Sequence, residues 1–177
     1  MLDSINIFSS EELQTYWIRK CIVGNSKILP GQLRLIATID LNPFEIVTLY
    51  PPHYVILYDE TGHAKSVVNL YDNRKVNDMD RIVELALTYS LEHNKIDELK
   101  TMSLVGDPSI ISNSNFIGHM ANDALNTGYE NNVGFGNQVI AGINCRPLIV
   151  LKPIKKGEEI FVDYGENYWK SKLDLLK

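Results

Sequence analysis

Residues 155–169 read KKGEEIFVDYGENYW and are the most informative part of the chain. The Lys-Lys-Gly is typical of a tight turn, and the apolar residues at 160–162 predict a strand after it. An Asp-Tyr-Gly follows the strand, with Tyr168 and Trp169 a few residues later. Aromatic side chains often fill a core. Whether this cluster belongs to a core or to a functional site therefore depends on the rest of the sequence.

The composition predicts one compact domain over residues 1–177. The chain has 45% hydrophobic and 22% charged residues, and no apolar run approaches the roughly 20 residues of a membrane helix. The N-terminal residues lack the order of a secretory signal. Cys21 and Cys145 are far apart and have no paired histidines, so neither a zinc site nor a disulfide framework is indicated. We therefore expect a soluble, intracellular protein without a metal or membrane contact.

The charge favours a basic partner. The net charge of −5 argues against direct nucleic-acid binding, which depends on Lys and Arg neutralising phosphates. Acidic residues gather at 59–60 and again between 78 and 99. Such clusters are most often solvated faces, but a local negative field also suits a cationic peptide.

Short β-branched runs separated by turn residues predict two hairpins in series. The first covers residues 33–52 and turns at Leu41-Asn42-Pro43, and the second covers residues 53–71 and turns at Thr61-Gly62. The strands do not alternate with helices, which disfavours a doubly wound nucleotide-binding fold.

Helical spacing appears in two places. Apolar residues recur at this spacing between 78 and 99, where Asp78 or Asp80 can cap the start. Loop residues and further strands are expected over 126–150, and a short helix is expected to close the chain at about 166–177.

Three segments resemble a SET domain, the fold of protein lysine methyltransferases that use S-adenosylmethionine. KKGEEIFVDYGENYW is similar to the family signature, in which a Gly-Glu-Glu turn leads through a strand to Asp-Tyr-Gly. GHMANDA at 118–124 lies where the family has Arg-Phe-Ile-Asn-His-Ser, so that Asn122 matches its Asn and Asp123 replaces its His. Residues 34–51 resemble its first hairpin. The resemblance implies a mainly β fold with short helices, made of small curved sheets (β-clip type) with a helical insert at about 77–105.

The first hairpin departs from the family pattern. Gln32-Leu33-Arg34 takes the place of a Gly-x-Gly turn whose backbone holds the methionine end of the cofactor, and Pro43-Phe44-Glu45 replaces Pro-Gly-Glu. Either Gly31 shifts the turn by one residue, or the cofactor is held differently. This departure is the best argument for the alternative function, a catalytically degenerate SET-fold binding module.

The resemblance implies one S-adenosylmethionine site without a metal. Its predicted cofactor-binding residues are Gln32, Leu33, Arg34, His119, Asn122, Asp123, Tyr164 and Trp169. Trp169 is expected near the adenine. Asp123 is expected to offer backbone contacts, with its side chain as a cap for the residues after it. His119 takes the place of the family's Arg and could reach the cofactor's carboxylate, although an isolated His is more often a satisfied interior or surface residue.

Tyr164 is the predicted catalytic residue. Its hydroxyl can accept a hydrogen bond from the lysine amine and make weak contacts to the methyl group, whereas the competing interpretation is a buried Tyr bonded to backbone. The predicted substrate channel contains Tyr50, Val162 and Tyr168, although Tyr50, a strand residue before Pro-Pro, could equally belong to the core. Val162 lies where the family often has a larger aromatic residue, so the channel is expected to admit dimethyl or trimethyl lysine.

The resemblance also implies the partners. The expected substrate is a basic protein or peptide, most commonly a histone tail, which would make the protein nuclear. Small members of the family often self-associate to complete a groove, so a homodimer is implied as well.

Overall fold

The computed structural model describes residues 19–70, 76, 78–97, 100–111, 115–140 and 143–174. These ranges contain short strands, two α-helices and a 3-10 helix joined by turns and loops. Their bounds are β1 (Cys21–Asn25), β2 (Leu33–Ala37), β3 (Ile46–Leu49), β4 (Tyr54–Tyr58), β5 (Ala64–Asn69), α1 (Met79–Tyr89), β6 (Ser90–Asp97), β7 (Lys100–Val105), a 3-10 helix (Gly118–Met120), β8 (Val133–Phe135), β9 (Gln138–Ile140), β10 (Ile143–Cys145), β11 (Pro147–Val150), β12 (Glu159–Ile160) and α2 (Glu166–Asp174). The predicted mainly β architecture with short helices is confirmed.

The chain folds into two compact units. The first unit consists of Met1–Leu49 and Met120–Lys177, and the second consists of Tyr50–His119. In the first unit, antiparallel pairing gives the sheets β1-β2-β12 and β3-β11-β8 and the pair β10-β9. Fully buried apolar side chains form its core. They include Leu35, Leu148, Ile154, Ile160 and Phe161.

The residues that follow β12, Phe161 and Val162, are fixed by pairing with two earlier segments of the first unit. Asn122 and Val133 form parallel bridges with Phe161 and Val162. The Val162 N–H donates to the Asn122 carbonyl at 2.8 Å. Asn132 adds a side-chain clamp, since its Oδ1 accepts from the Phe161 N–H at 2.9 Å and its Nδ2 donates to the Glu159 carbonyl at 2.9 Å. This pairing holds the segment that begins at Asn122 against the strand that leads to Tyr164.

The second unit is a four-stranded antiparallel sheet, ordered β5-β4-β7-β6, with α1 packed against it. Ile56 and Val105 from the sheet and Ile82 and Ala86 from the helix form its buried cluster. The helical face that carries Ile82 and Ala86 at an i, i+4 spacing is the face that is buried.

The two predicted hairpins have different outcomes. The second is confirmed, because β4 and β5 pair antiparallel and Asp59 caps the turn between them by accepting from the Thr61 and His63 N–H groups. The first is wrong in its pairing, although β2 and β3 lie where strands were predicted. β2 pairs with β1 and β12, whereas β3 pairs with β11.

The predicted helix over 78–99 begins where expected but is too long. Asp78 is the N-cap, and its carboxylate accepts from the Arg81 N–H at 2.8 Å. The helix ends at Tyr89, and the next residues form β6 against β7, with Ser90 opposite Val105. Pairing with β7 outweighs the modest helix propensity of these residues.

The closing helix is confirmed as α2, and the last three residues of its predicted range, 175–177, lie outside the described residues. Neither helix of the described part of the chain is long and apolar enough to span a bilayer.

Phe44 is held in a strained turn. Its φ is 73°, in the left-handed region, and its side chain is 87% exposed. A left-handed residue with a Cβ costs roughly 1–2 kcal/mol, and an exposed ring recovers little of that by burial. We expect Phe44→Gly to raise the free energy of unfolding by about 1 kcal/mol, measured by urea denaturation. Phe44→Ala is the control, because it removes the ring but keeps the strained Cβ; equal stabilisation by both variants would contradict this explanation.

Candidate active site

The Asp123 carboxylate organises the residues after β12. Its Oδ2 accepts from the Tyr164 N–H and from the Trp169 Nε1–H, both at 2.9 Å. Its Oδ1 accepts from the Leu125 N–H at 2.9 Å and from Asn131 Nδ2 at 3.3 Å. The side chain is therefore more than the local cap that the sequence predicted, since it joins two distant aromatic residues.

The rings of Tyr164, Tyr168 and Trp169 form one cluster, and the indole N–H of Trp169 binds the Asp123 carboxylate. Tyr164 and Trp169 are stacked, with centroids 6.1 Å apart and an interplanar angle of 18°. Tyr168 meets both rings edge-on, at 4.7 Å from Tyr164 and 5.1 Å from Trp169. Aromatic pairs in these geometries stabilise one another beyond their burial. The cluster holds the Tyr164 ring from two sides.

The Tyr164 hydroxyl has a defined orientation. It donates to the Ala121 carbonyl at 2.7 Å. A phenol has one proton, so a hydroxyl that donates to backbone can only accept in any further hydrogen bond. The backbone contact and an acceptor role in catalysis, which the sequence analysis treated as alternatives, are therefore compatible.

Asn122 braces the first unit. Its Nδ2 donates to the Leu33 carbonyl at 3.1 Å and to Glu159 Oε1 at 3.3 Å. Leu33 belongs to the segment that replaces the family's glycine turn, so Asn122 connects two segments that the sequence predicted to bind the cofactor. The same side-chain amide also carries Oδ1, which can accept a hydrogen bond.

Arg34 and Glu159 form a buried ion pair that the sequence analysis missed. Arg34 Nη1 lies 2.7 Å from Glu159 Oε2, and the two side chains are 5% and 1% exposed. Ser26 Oγ also lies 3.1 Å from both carboxylate oxygens. A signal was present, because an Arg between two Leu residues in a strand and a Glu directly before Ile-Phe-Val each predict a buried charge that needs a partner.

Gly31 carries the left-handed turn that precedes β2. Its φ is 81°, and the loop is closed by the Ser26 N–H on the Gln32 carbonyl at 2.9 Å and the Gln32 N–H on the Leu29 carbonyl at 3.1 Å. The turn glycine thus lies directly before Gln32-Leu33-Arg34, in agreement with the shift by one residue that the sequence allowed.

A cavity of about 700 Å³ lies beside Asp123 and Trp169, which both line it. Trp169 and Tyr129 are its aromatic lining residues. Four carboxylates and two lysines also line it, so its charge favours a cationic ligand. The carboxylates belong to Asp123, Glu130, Asp163 and Glu166, and the lysines are Lys152 and Lys170. Among the described residues, no three His, Cys, Asp or Glu side chains are grouped as metal ligands.

His119 and Tyr50 belong to the second unit. The His119 ring meets the His53 ring edge-on at 5.3 Å and the Tyr50 ring at 6.3 Å. Both histidines bind the backbone of Asp107: its N–H donates to His53 Nδ1 at 2.9 Å, and its carbonyl lies 3.1 Å from His119 Nε2. Tyr50 donates its hydroxyl proton to the Tyr89 carbonyl at 2.5 Å.

Burial keeps both imidazoles uncharged at neutral pH. Desolvation lowers the pKa of His53 to about 4, and desolvation together with the nearby His53 lowers the pKa of His119 to about 3. A neutral imidazole cannot form an ion pair with a carboxylate. The role predicted for His119 at the cofactor's carboxylate therefore has no positive charge to support it.

These two lowered pKa values predict a stability that depends on pH. The unfolded histidines take up protons below about pH 6.5, whereas the folded ones do so only near their lowered pKa values, so stability falls as the pH drops from 6.5 toward 4. Each imidazole contributes about 2 kcal/mol of this loss by pH 5. Asp107 and Arg81, which form an ion pair at 3.1 Å in the same unit, stay charged in this range.

We expect His119→Gln to reduce the difference in unfolding free energy between pH 7.5 and 5 by about 2 kcal/mol. The Gln amide can still donate to the Asp107 carbonyl. His63→Gln, at an exposed turn, is the control. Urea denaturation at the two pH values measures the difference, and an unchanged difference in His119→Gln would contradict the assignment.

The other predicted channel residues are Val162 and Tyr168. They precede and follow Tyr164 in the sequence and belong to the first unit. Val162 is 1% exposed, and Tyr168 is half-buried in the aromatic cluster. Of the predicted residues 32–34, Leu33 contacts Asn122 through its carbonyl. Asp123, Tyr164 and Trp169 form a separate hydrogen-bonded group.

The small sheets, and the strand that Asn132 holds directly before Asp163-Tyr164-Gly165, are those of a SET fold. Residues 32–165 match the model of the SET domain family, which is more than half of the chain. The chain therefore belongs to the SET domain family. No curated protein matches the sequence.

Two solved structures are similar to this chain. One is a humanized mutant of Polycomb Repressive Complex 2 from Chaetomium thermophilum, bound to the inhibitor GSK126, with 18% identity and a TM-score of 0.51. The match covers 88% of this chain and 16% of that chain, so this protein spans only a small part of that one. The other is a Plasmodium falciparum protein, PFL0690c, assigned as a candidate histone methyltransferase, with 14% identity, a TM-score of 0.47 and coverage of 86% of this chain and 99% of that one.

Proposed function

We propose that this protein is an S-adenosylmethionine-dependent protein lysine N-methyltransferase. The observation that carries the proposal is the fixed Tyr164 hydroxyl, which donates to the Ala121 carbonyl while Asp123 holds the Tyr164 backbone and the Trp169 ring. Membership of the SET domain family supports the same reaction.

The lining of the cavity fits the cofactor. A volume of about 700 Å³ lies within the usual range for small-molecule sites. The Trp169 and Tyr129 side chains suit a purine ring, and the excess of carboxylates suits a sulfonium cation. Asp123 and Trp169 are the residues that we expect to hold the adenosine end. When bound, S-adenosylmethionine supplies the electrophilic methyl group.

The substrate lysine must lose its proton before it can attack. Deprotonating a lysine with a pKa of about 10.4 at pH 7 costs about 4.6 kcal/mol. A dry channel and a neighbouring positive charge both lower that pKa, so a strong base is not required. Tyr164 serves as an acceptor that orients the amine, which agrees with a hydroxyl whose proton is already donated to backbone.

The substrate that the charge favours is a basic peptide. The protein carries a net charge of −5, and the family resemblance makes a histone tail the first candidate. A histone substrate would imply a nuclear location. The homodimer implied by the resemblance remains a prediction, and the sedimentation coefficient of the purified protein tests it.

Isothermal titration with S-adenosylmethionine tests the function. We expect measurable binding that Asn122→Ala weakens by roughly tenfold, because the variant removes donors to Leu33 and Glu159 that hold the site together. Asn42→Ala, at an exposed turn, is the control. Mass spectrometry of histone-tail peptides incubated with the protein and cofactor then measures methylation. Absence of binding and of methylation would contradict the proposal and favour a SET-fold binding module.

A further inference from the structure

The Arg34 guanidinium is buried but only partly satisfied. Arg34 is 4% exposed, and its Nη1 donates to Glu159. Its Nε is buried and has no hydrogen-bond partner among the described residues. A buried donor without a partner is destabilising by roughly 1–3 kcal/mol, so native structures rarely keep one without a reason.

Glu159 does not satisfy that donor. Its Oε2 accepts from Arg34 Nη1 at 2.7 Å and lies 3.1 Å from Ser26 Oγ. Its Oε1 lies 3.1 Å from Ser26 Oγ and 3.3 Å from Asn122 Nδ2. The carboxylate is thus engaged on both oxygens. It holds one end of the planar guanidinium and leaves the Nε–H on the other edge, beside Nη2.

That other edge has the geometry of a carboxylate receptor. The Nε–H and the neighbouring Nη2–H point in parallel and match the two oxygens of a carboxylate. A guanidinium keeps its charge at any physiological pH. Arg34 also lies directly after Leu33, whose carbonyl Asn122 braces, in the segment that replaces the glycine turn.

We infer that Arg34 binds the carboxylate at the amino-acid end of S-adenosylmethionine through its Nε edge, with Glu159 as the positioning residue that orients the guanidinium. This inference rests on the proposed function. It assigns to a side chain the task that the family's Gly-x-Gly backbone performs. It also supplies the positive charge that the neutral His119 lacks.

A comparison of two ligands tests the inference. S-adenosylmethionine and decarboxylated S-adenosylmethionine differ only in the carboxylate, so the ratio of their dissociation constants isolates its contact. We expect the wild-type protein to prefer the carboxylated ligand by roughly 10- to 100-fold in isothermal titration. In the double variant Arg34→Gln, Glu159→Gln, which removes both charges and leaves neither one unpaired, this preference should disappear.

Two further variants separate positioning from folding. Ser26→Ala removes another donor to Glu159 but keeps Arg34, and it should retain the preference. Glu159→Gln alone should reduce the preference in part, because the guanidinium loses its charged anchor. Circular dichroism checks that each variant is folded.

The outcomes distinguish the inference from the proposed function. If the wild-type protein binds both ligands equally, or if the double variant weakens both ligands by the same factor, the inference is wrong and the proposed function stands. If the wild-type protein binds neither ligand and methylates no peptide, both are wrong. Loss of the preference in the double variant, with binding of the decarboxylated ligand within about twofold of wild type, supports Arg34 as the carboxylate-binding residue.

Discussion

Replacing Tyr164 with phenylalanine is expected to lower the kcat for methyl transfer by about 100-fold or more, with little change in the affinity for S-adenosylmethionine. The variant keeps the ring that stacks on Trp169 and the backbone N–H that donates to Asp123. It removes only the hydroxyl that donates to the Ala121 carbonyl. The reacting amine then lacks the acceptor that orients it.

Steady-state methylation of a basic peptide and calorimetric titration of the cofactor measure the two quantities separately. Tyr58→Phe is the matched control, since Tyr58 is a half-buried tyrosine of the second unit. A Tyr164→Phe protein with near wild-type kcat would remove Tyr164 from the catalytic step. A loss of cofactor affinity without a loss of kcat would assign it to binding instead.

Replacing Glu159 with alanine is expected to lower the free energy of unfolding by about 3–5 kcal/mol. The substitution leaves the Arg34 guanidinium as a buried charge without a counter-ion, and it removes the acceptor of Asn122 Nδ2 and Ser26 Oγ. Urea or thermal denaturation followed by circular dichroism measures the loss.

The neighbouring Glu158 provides the control. It is exposed, and its carboxylate accepts from the Lys155 N–H within the turn, so Glu158→Ala should cost about 1 kcal/mol or less. The double variant Arg34→Met, Glu159→Leu should be more stable than Glu159→Ala, because it leaves no charge buried. If Glu159→Ala and Glu158→Ala are equally stable, the buried ion pair does not stabilise the fold.

Local patterns predicted the elements well where the chain itself sets them. Asp78 caps α1 through its own carboxylate, and Thr61-Gly62 turns between β4 and β5 as their sequence requires. The pairing of β2 and β3 was wrong, because the choice of strand neighbour depends on segments distant in sequence. Tyr89 ends α1 for the same reason, since β7 pairs with the residues after it.

The functional residues divide in the same way. Tyr164, Asn122 and Asp123 were identifiable because the motifs that contain them are short and contiguous. The contacts of these residues could not be predicted, because the Asp123 carboxylate binds Tyr164 and Trp169, which are 41 and 46 residues away in the sequence. The sequence by itself therefore determined the family, the Thr61-Gly62 turn and the candidate catalytic tyrosine, and it narrowed the cap of α1 to Asp78 or Asp80. Only the tertiary structure decided that Arg34 is buried against Glu159 and that His119 is neutral, because burial and charge pairing depend on which distant segments pack together.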